Sequence, residues 1–337
     1  MAFKRFDPED FVVSSDSITS TLWSTGAPTL TTFFTSSVQA AGSSGNYYLS
    51  IYQTASNLST ATVQFDIAYA DSVGSGSTLY NPIVPSNSYT KTIYGQYRSL
   101  ILEDETAQFI FGTGTNIATG SNFWVLSIER ANYKQSLFPG SLNLKLSGSG
   151  GIINLTDNSL DNPVSVFLGS TRVYQLISGS NGTAGSLPGS GYVSNSGSYG
   201  LVFPDLGTII LNPSAISQSI RVAPSRSNNS DGQNNQKLFT SINLGASFAL
   251  NSEETITSDY VFVRARNSEF NYSENPSFIS GSTGEVIYDN FINSPQVYIT
   301  TVGMYNDSNN LLAVAKMSRP LLKDFTKEAL VRVKLDF

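Results

Sequence analysis

The sequence predicts an all-β protein with two or three β-sandwich-like domains, long Gly/Ser/Asn-rich loops and an extended N-terminal arm. Three observations carry that expectation. Charged residues make up only 13% of the 337 residues, about half the usual share. Ser, Thr, Asn and Gly stand in their place, residues that favour turns and sheet surfaces over helix interiors. Through much of the chain, apolar and polar residues alternate with a period of two, as the pleat of a half-buried strand requires. The length exceeds the usual size of one domain, so roughly two or three are expected. With 20 Phe and 17 Tyr the chain has ample material for a core, which sets it apart from disordered compositions.

Charge and residue usage narrow the chemistry. A formal net charge of -6 with no local Lys/Arg cluster repels a phosphate backbone, so nucleic acid is not an expected partner. The chain has no Cys and no His, which removes disulfides, thiolate and imidazole metal ligands and the common catalytic triads. No cofactor is expected. No run approaches the roughly 20 apolar residues of a membrane-spanning helix, so no membrane partner is expected either. The first residues, MAFKRFDPEDF, carry charge where a secretory leader needs an apolar stretch. The expected site of synthesis is a cytoplasm.

Residues 1–35 read as an arm. Phe3, Phe6 and Phe11 sit among charged residues, followed by Trp23 and the Phe33-Phe34 pair, and these six aromatics are expected to dock on other chains. The competing reading is an N-terminal strand packing on its own domain. Residues 36–150 read as a first β domain. In TVQFDIAYA, Val63, Phe65, Ile67 and Tyr69 share one face, and Gln64, Asp66 and Ala68 share the other. NYYLSIYQT, AQFIFG and NFWVLSIERANY read as further strands, separated by turns such as DSVGSGS and FGTGTN. SLNLKLSGSG places Leu142, Leu144 and Leu146 on one face before a glycine-rich break at 148–151.

Residues 151–225 read as a β region, with strands in STRVYQLIS and YGLVFPDLGTIILNP around a low-complexity loop at 179–200. A loop of that length is expected to be ordered by a neighbouring chain. A polar gap, SNNSDGQNNQ, leads into a C-terminal β domain over 226–337. There PQVYITTVGMYNDSNNLLAVAKMSRP predicts a hairpin with its tip at 306–310 and a bulge or close backbone approach at Gly303. The last strand alternates Val331, Val333, Leu335 and Phe337 with Arg332, Lys334 and Asp336. Helix is expected only over Lys323 to Leu330, because other candidate stretches hold too many β-branched residues.

The constellations that might carry chemistry all have simpler readings. Ser88-Tyr89-Thr90-Lys91 has Ser-x-x-Lys spacing, but a catalytic pair needs a helical turn to bring the side chains together, and the segment reads as a strand. Glu103-Asp104-Glu105 and Glu253-Glu254 are consecutive acids at apparent turns, where neighbours point apart rather than flank a glycosidic bond. Asp66 and Glu129 are lone acids in strands, and spacing alone does not say whether they meet. Asp157-Asn158-Ser159-Leu160-Asp161 and Asp307-Ser308-Asn309 offer oxygen ligands but lack the glycine and distal Glu of a calcium loop, so they read as Asx turns. Gly112, Gly114 and Gly120 lack the Lys and following helix of a phosphate loop. Tyr47, Tyr48, Tyr52 and Trp124 would suit a sugar platform, against the commoner role of filling a β core. The expectation is a protein without catalytic residues.

The run from about Glu269 to Phe337, with NSEFNYSENPSF, YITTVGMYND, LLAVAKMSRPL and VRVKLDF, resembles segments of virion structural proteins from tailed bacteriophages. The likeness is strongest to the contractile-tailed phages of cyanobacteria. FDPEDFVVSSDSITSTLW with TTFFTSS is similar to the N-terminal arms of such proteins, and YGLVFPDLGTIILNP has the same character. The resemblance implies a structural component of the virion, in the tail baseplate or its periphery, that holds other virion proteins in register. It implies several copies in a symmetric assembly, made and assembled in the host bacterial cytoplasm. Two further readings stay open. One is a glycan-binding or glycan-cleaving tailspike module, which predicts a concave site with two acids or stacked tyrosines. The other is a capsid-decorating or neck protein.

Overall fold

The computed structural model describes residues 5–35, 48–76, 88–161, 166–168, 171–185, 191–192, 196–226, 233–273 and 275–336. The chain divides into two compact units, a central one over 18–254 and a terminal one that combines 1–17 with 255–337. The boundary expected near 150 falls instead on the tight turn of a hairpin, between neighbouring strands of one sheet. A glycine cluster signals a turn, and a turn alone does not end a domain.

After β1 (Phe11–Thr21), which passes from the terminal into the central unit, come β2 (Thr29–Leu30), β3 (Phe34–Thr35), β4 (Tyr48–Tyr52) and β5 (Val63–Asp71). Helix α1 (Tyr89–Leu102) precedes β6 (Phe109–Thr113), β7 (Asn116–Gly120), β8 (Asn122–Ile128) and β9 (Ser136–Leu137). The hairpin of β10 (Asn143–Gly148) and β11 (Gly151–Asp157) leads to β12 (Val166–Leu168), β13 (Thr171–Ser180) and β14 (Thr183–Ala184). Then come β15 (Gly200–Phe203), β16 (Thr208–Leu211), α2 (Pro213–Ile220), α3 (Gln233–Gly245) and β17 (Phe248–Ala249). The main sheet is antiparallel and runs β2-β17-β10-β11-β13-β15-β16-β8-β5-β4-β3, with β12 and β14 both paired to β13. β6 and β7 form a separate hairpin.

This sheet is covered on both faces, which the period-two reading did not anticipate. On one face Phe65, Ile67 and Tyr69 of β5 stand opposite Ile128, Leu126 and Trp124 of β8. They join Leu144, Leu146 and Leu211, with Ile216 of α2 and Leu238 and Ile242 of α3, in one apolar cluster. On the other face Ala70, Phe123, Val125, Leu201 and Ile210 pack with Tyr94 and Ile101 of α1 and with Phe109 and Phe111 of β6. Burial on both sides explains why β15 and β16 carry the unbroken apolar runs 201–203 and 209–211, with all eight residues of the two strands buried. Each buried Leu, Val, Ile or Phe among them contributes about 1.5–3 kcal/mol.

Of the three longer helices, α2 carries a clear capping signal. α2 starts at Asn212-Pro213, where the Asn212 side chain accepts from the Ser214 N–H and proline occupies the first turn. It ends on Arg221 in the left-handed region. α1 follows buried Ser88 and ends on left-handed Glu103. α3 begins inside the polar stretch expected to be a gap, and the Trp124 indole N–H donates to the Asn234 carbonyl at 2.9 Å. At its end a Cβ on Gly245 would lie 1.9 Å from the Lys145 carbonyl oxygen. Only glycine lets the helix come this close to β10.

In the terminal unit, β18 (Asn251–Ala265), which begins in the central unit, lies between β1 and β21 (Ala329–Asp336). Its pairing with β21 is unbroken from Ser258↔Asp336 to Ala265↔Ala329, and the expected alternation holds over the described residues: Val333 is buried and Arg332, Lys334 and Asp336 are exposed. A short helix, α4 (Asp289–Asn293), precedes the hairpin of β19 (Val297–Tyr305) and β20 (Leu311–Lys323). At its tip the Asn306 side chain accepts from the Ser308 and Asn310 N–H groups, as an Asx turn does. The register shifts at Met304/Tyr305, one residue past Gly303.

The helix expected over Lys323 to Leu330 does not form. β20 runs up to Lys323, the Asp324 carboxylate accepts from the Thr326 N–H and hydroxyl to make a turn, and β21 begins at Ala329. The side-chain turn at Asp324 outcompetes a two-turn helix, and the alternating residues that follow find partners on β18.

Candidate functional site

The six aromatics expected to dock elsewhere divide. Trp23 and Phe33 belong to the core of the central unit. Trp23 meets Phe248 edge-on at 5.0 Å between ring centroids, and Phe33 and Phe248 both pack against Phe65. Gln64 fastens the same segment: its carbonyl oxygen accepts from the Ser24 N–H, and its amide donates to the Ser24 hydroxyl. From Leu22 onward the expected arm is part of the chain's own core. Phe6, Phe11 and Phe34 are exposed, Phe34 in a strand paired with β4. Phe3 lies outside the described residues, as do parts of the loop at 179–200. The described start of that loop folds back as a tight β13–β14 pair.

The terminal unit has little interior. Among the described residues its buried apolar side chains are Val261, Ala265, Ala329 and Val333, while both large apolar clusters lie in the central unit. β1 is exposed along nearly its whole length, with Phe11, Val12 and Val13 in water. The β19–β20 hairpin is a two-stranded sheet. One face carries Val302, Met304, Ala313 and Ala315, and the other Tyr305, Leu311 and Val314; none of these seven is buried. Leu312 is 67% exposed and Tyr298 64%. Isolated two-stranded hairpins are marginal in water, and monomers rarely expose so much apolar surface. Below the hairpin, Lys323 is fully buried, and its ammonium donates to the Asn267 and Asp324 carbonyls and the Asn271 amide oxygen. It ties the 267–271 segment to the end of β20.

The candidate catalytic groups stay apart. Ser88-Tyr89-Thr90-Lys91 is the start of a helix, not a strand; the Ser88 hydroxyl donates to the Gly74 carbonyl and Lys91 is exposed. Asp104 turns its carboxylate onto the Thr106 N–H and hydroxyl, and those bonds hold it below the usual carboxylate range. Glu253 and Glu254 lie within β18 rather than at a turn, facing Arg172 and Lys134 respectively. Asp157 accepts from the Gly140 and Ser159 N–H groups, and Asp161 from Ala184 N–H. The Ser159 bond is an Asx turn, while the other two tie distant segments together.

One concave feature brings polar groups together in the central unit. A cleft of about 410 Å³ opens between α1 and the β4–β5–β8 face. Tyr48, Tyr89 and Tyr97 line it, together with Asp66, Gln96 and Ser127. The register places Ser50, Asp66 and Ser127 side by side across three strands. Burial raises the Asp66 carboxyl above its ordinary value, opposed by a hydrogen bond from Ser50 and reinforced by the Glu129 charge. Among the described residues the Asp66 Oδ1 atom has no hydrogen-bond partner. Burial also raises Tyr97, whose hydroxyl bonds Ser127. Asp66 had been read as part of a polar strand face; the helix that covers that face was the missing signal. Of the other sugar-platform candidates, Trp124 is in the core, Tyr52 is half-buried at the end of β4 and does not line the cleft, and Tyr47 lies outside the described residues.

No protein-family model, no curated protein and no solved structure matches the chain.

Proposed function

We propose that this chain is a structural component of a phage virion, at the tail baseplate or its periphery, and that the terminal unit is its assembly module. The observation that carries the reading is a unit whose sheet and hairpin keep their apolar side chains in water. Such surface is stable when another chain covers it. An obligate partner must be present whenever the chain folds, and the partner always present is another copy, which suits a symmetric virion part. The resemblance of 269–337 to virion proteins of contractile-tailed phages points the same way, as does the exposure of Phe6 and Phe11. The mechanism is interface geometry: the terminal unit meets neighbouring copies or other virion proteins, and the central unit supplies the rigid body.

The test is cryo-EM of the intact virion together with mass spectrometry of purified particles. The reading predicts a fixed copy number per particle, with residues 297–323 buried against a neighbouring chain. Absence from washed particles would overturn it, and so would a location in which that hairpin faces solvent.

A further inference from the structure

We propose that the cleft between α1 and the β4–β5–β8 face is a binding site for a neutral saccharide. The argument uses the central unit alone and does not depend on the role assigned to the terminal unit. The volume, about 410 Å³, falls within the range of small-molecule sites. Three tyrosines supply flat apolar faces, each with a hydroxyl at its tip, and such rings pack against the C–H faces of a sugar ring while the hydroxyls meet its polar edge. Asp66, Gln96 and Ser127 add acceptors and donors between those rings.

Charge selects among ligand classes. Among the described residues no Lys or Arg lines the cleft, and the acid there, Asp66, has Glu129 as an electrostatic neighbour. A phosphate, sulfate or uronate would meet only repulsion. An organic ammonium would find tyrosine faces and a carboxylate, yet it would leave the Gln96 amide without a ligand partner. A polyol uses all of them, since each sugar hydroxyl both donates and accepts. Asp66, which lines the cleft, offers its carboxylate as an acceptor for such a donor.

The experiment is saturation-transfer NMR on the full chain against a panel of neutral sugars: glucose, galactose, mannose, rhamnose, N-acetylglucosamine and their methyl glycosides. Tetramethylammonium and glucuronate serve as comparison probes. At least one neutral sugar is expected to bind, with a Kd on the order of millimolar. Asp66→Asn should weaken that binding about tenfold. Thr92→Trp, at an exposed position of the cleft wall, should abolish it without altering the fold. Gln96→Trp, also exposed, replaces it if that variant is unstable. Three results would overturn the proposal: no neutral sugar binds; tetramethylammonium or glucuronate binds in their stead; or the bound sugar is retained undiminished by the folded Trp variant.

Discussion

The β5–β8 pair and the β19–β20 pair are built from similar material and meet opposite surroundings. Both are antiparallel pairs rich in aromatic and β-branched residues. In the first, Phe65, Ile67, Trp124 and Leu126 are fully buried on one face, and Ala70 and Phe123 on the other. In the second, Val302, Met304 and Ala315 are half-buried at most, while Leu311, Leu312 and Val314 stand in water. Sequence alternation therefore specifies a strand and a register without specifying what covers it. In the central unit the chain supplies that cover itself, with three helices and a second hairpin. In the terminal unit the described residues leave the hairpin's apolar side chains exposed or half-buried.

The sharpest way to break this comparison is to truncate one side chain in each unit. Phe65→Ala should cost about 3–5 kcal/mol in chemical denaturation, because it opens a cavity beneath Trp23, Phe33 and Phe248. Leu312→Ala should change the stability of the dilute chain by no more than about 0.5 kcal/mol and instead weaken self-association in sedimentation velocity. Equal destabilisation by the two would remove the distinction between the units.

A smaller effect is expected at Asp71, a fully buried carboxylate at the end of β5. It accepts from the Arg226 Nε–H at 2.8 Å and from the Val73 and Ser75 N–H groups. Asp71→Ala strands those donors and should cost about 2 kcal/mol by denaturant titration. An unchanged midpoint would show that the loop after β5 contributes nothing to the central unit.

The smallest effect has the opposite sign. Burial raises the Asp66 carboxyl above its ordinary 3.8 in the folded chain, so the folded state holds its proton longer than the unfolded state does. The stability tied to that proton is present below 3.8, fades as pH rises toward the folded value and stays lost at neutral pH. Asp66→Asn should therefore raise Tm at neutral pH and leave it unchanged in acid below 3.8. A Tm difference that is the same at both ends would contradict the assignment.

Much of the strand content was legible. β5, β8, β10, β13, β19, β20 and β21 fall where alternation places them, because a period of two is a backbone property written directly in side-chain polarity. The helices were not legible from that pattern. α1 and α3 hide their buried residues among Thr, Ser, Gln and Asn. The Asn212-Pro213 start of α2 was readable as a cap but sat inside a stretch read as strand and turn. Trp23 and Phe33 show a second limit: an aromatic near a terminus looks the same whether it docks on a neighbour or on its own sheet, and only the partner, Phe65 or Phe248, decides. The cleft escaped for a related reason, since its wall is α1.

The measurement that bears most directly on the division of labour is hydrogen–deuterium exchange on the full chain across a dilution series. The account predicts that amides of 63–71 and 122–128 are strongly protected at every concentration. Amides of 297–323 should exchange almost freely in the dilute monomer and become protected only as copies associate or the particle forms. Protection of 297–323 equal to that of 122–128, in a chain shown by sedimentation to be monomeric, would contradict it.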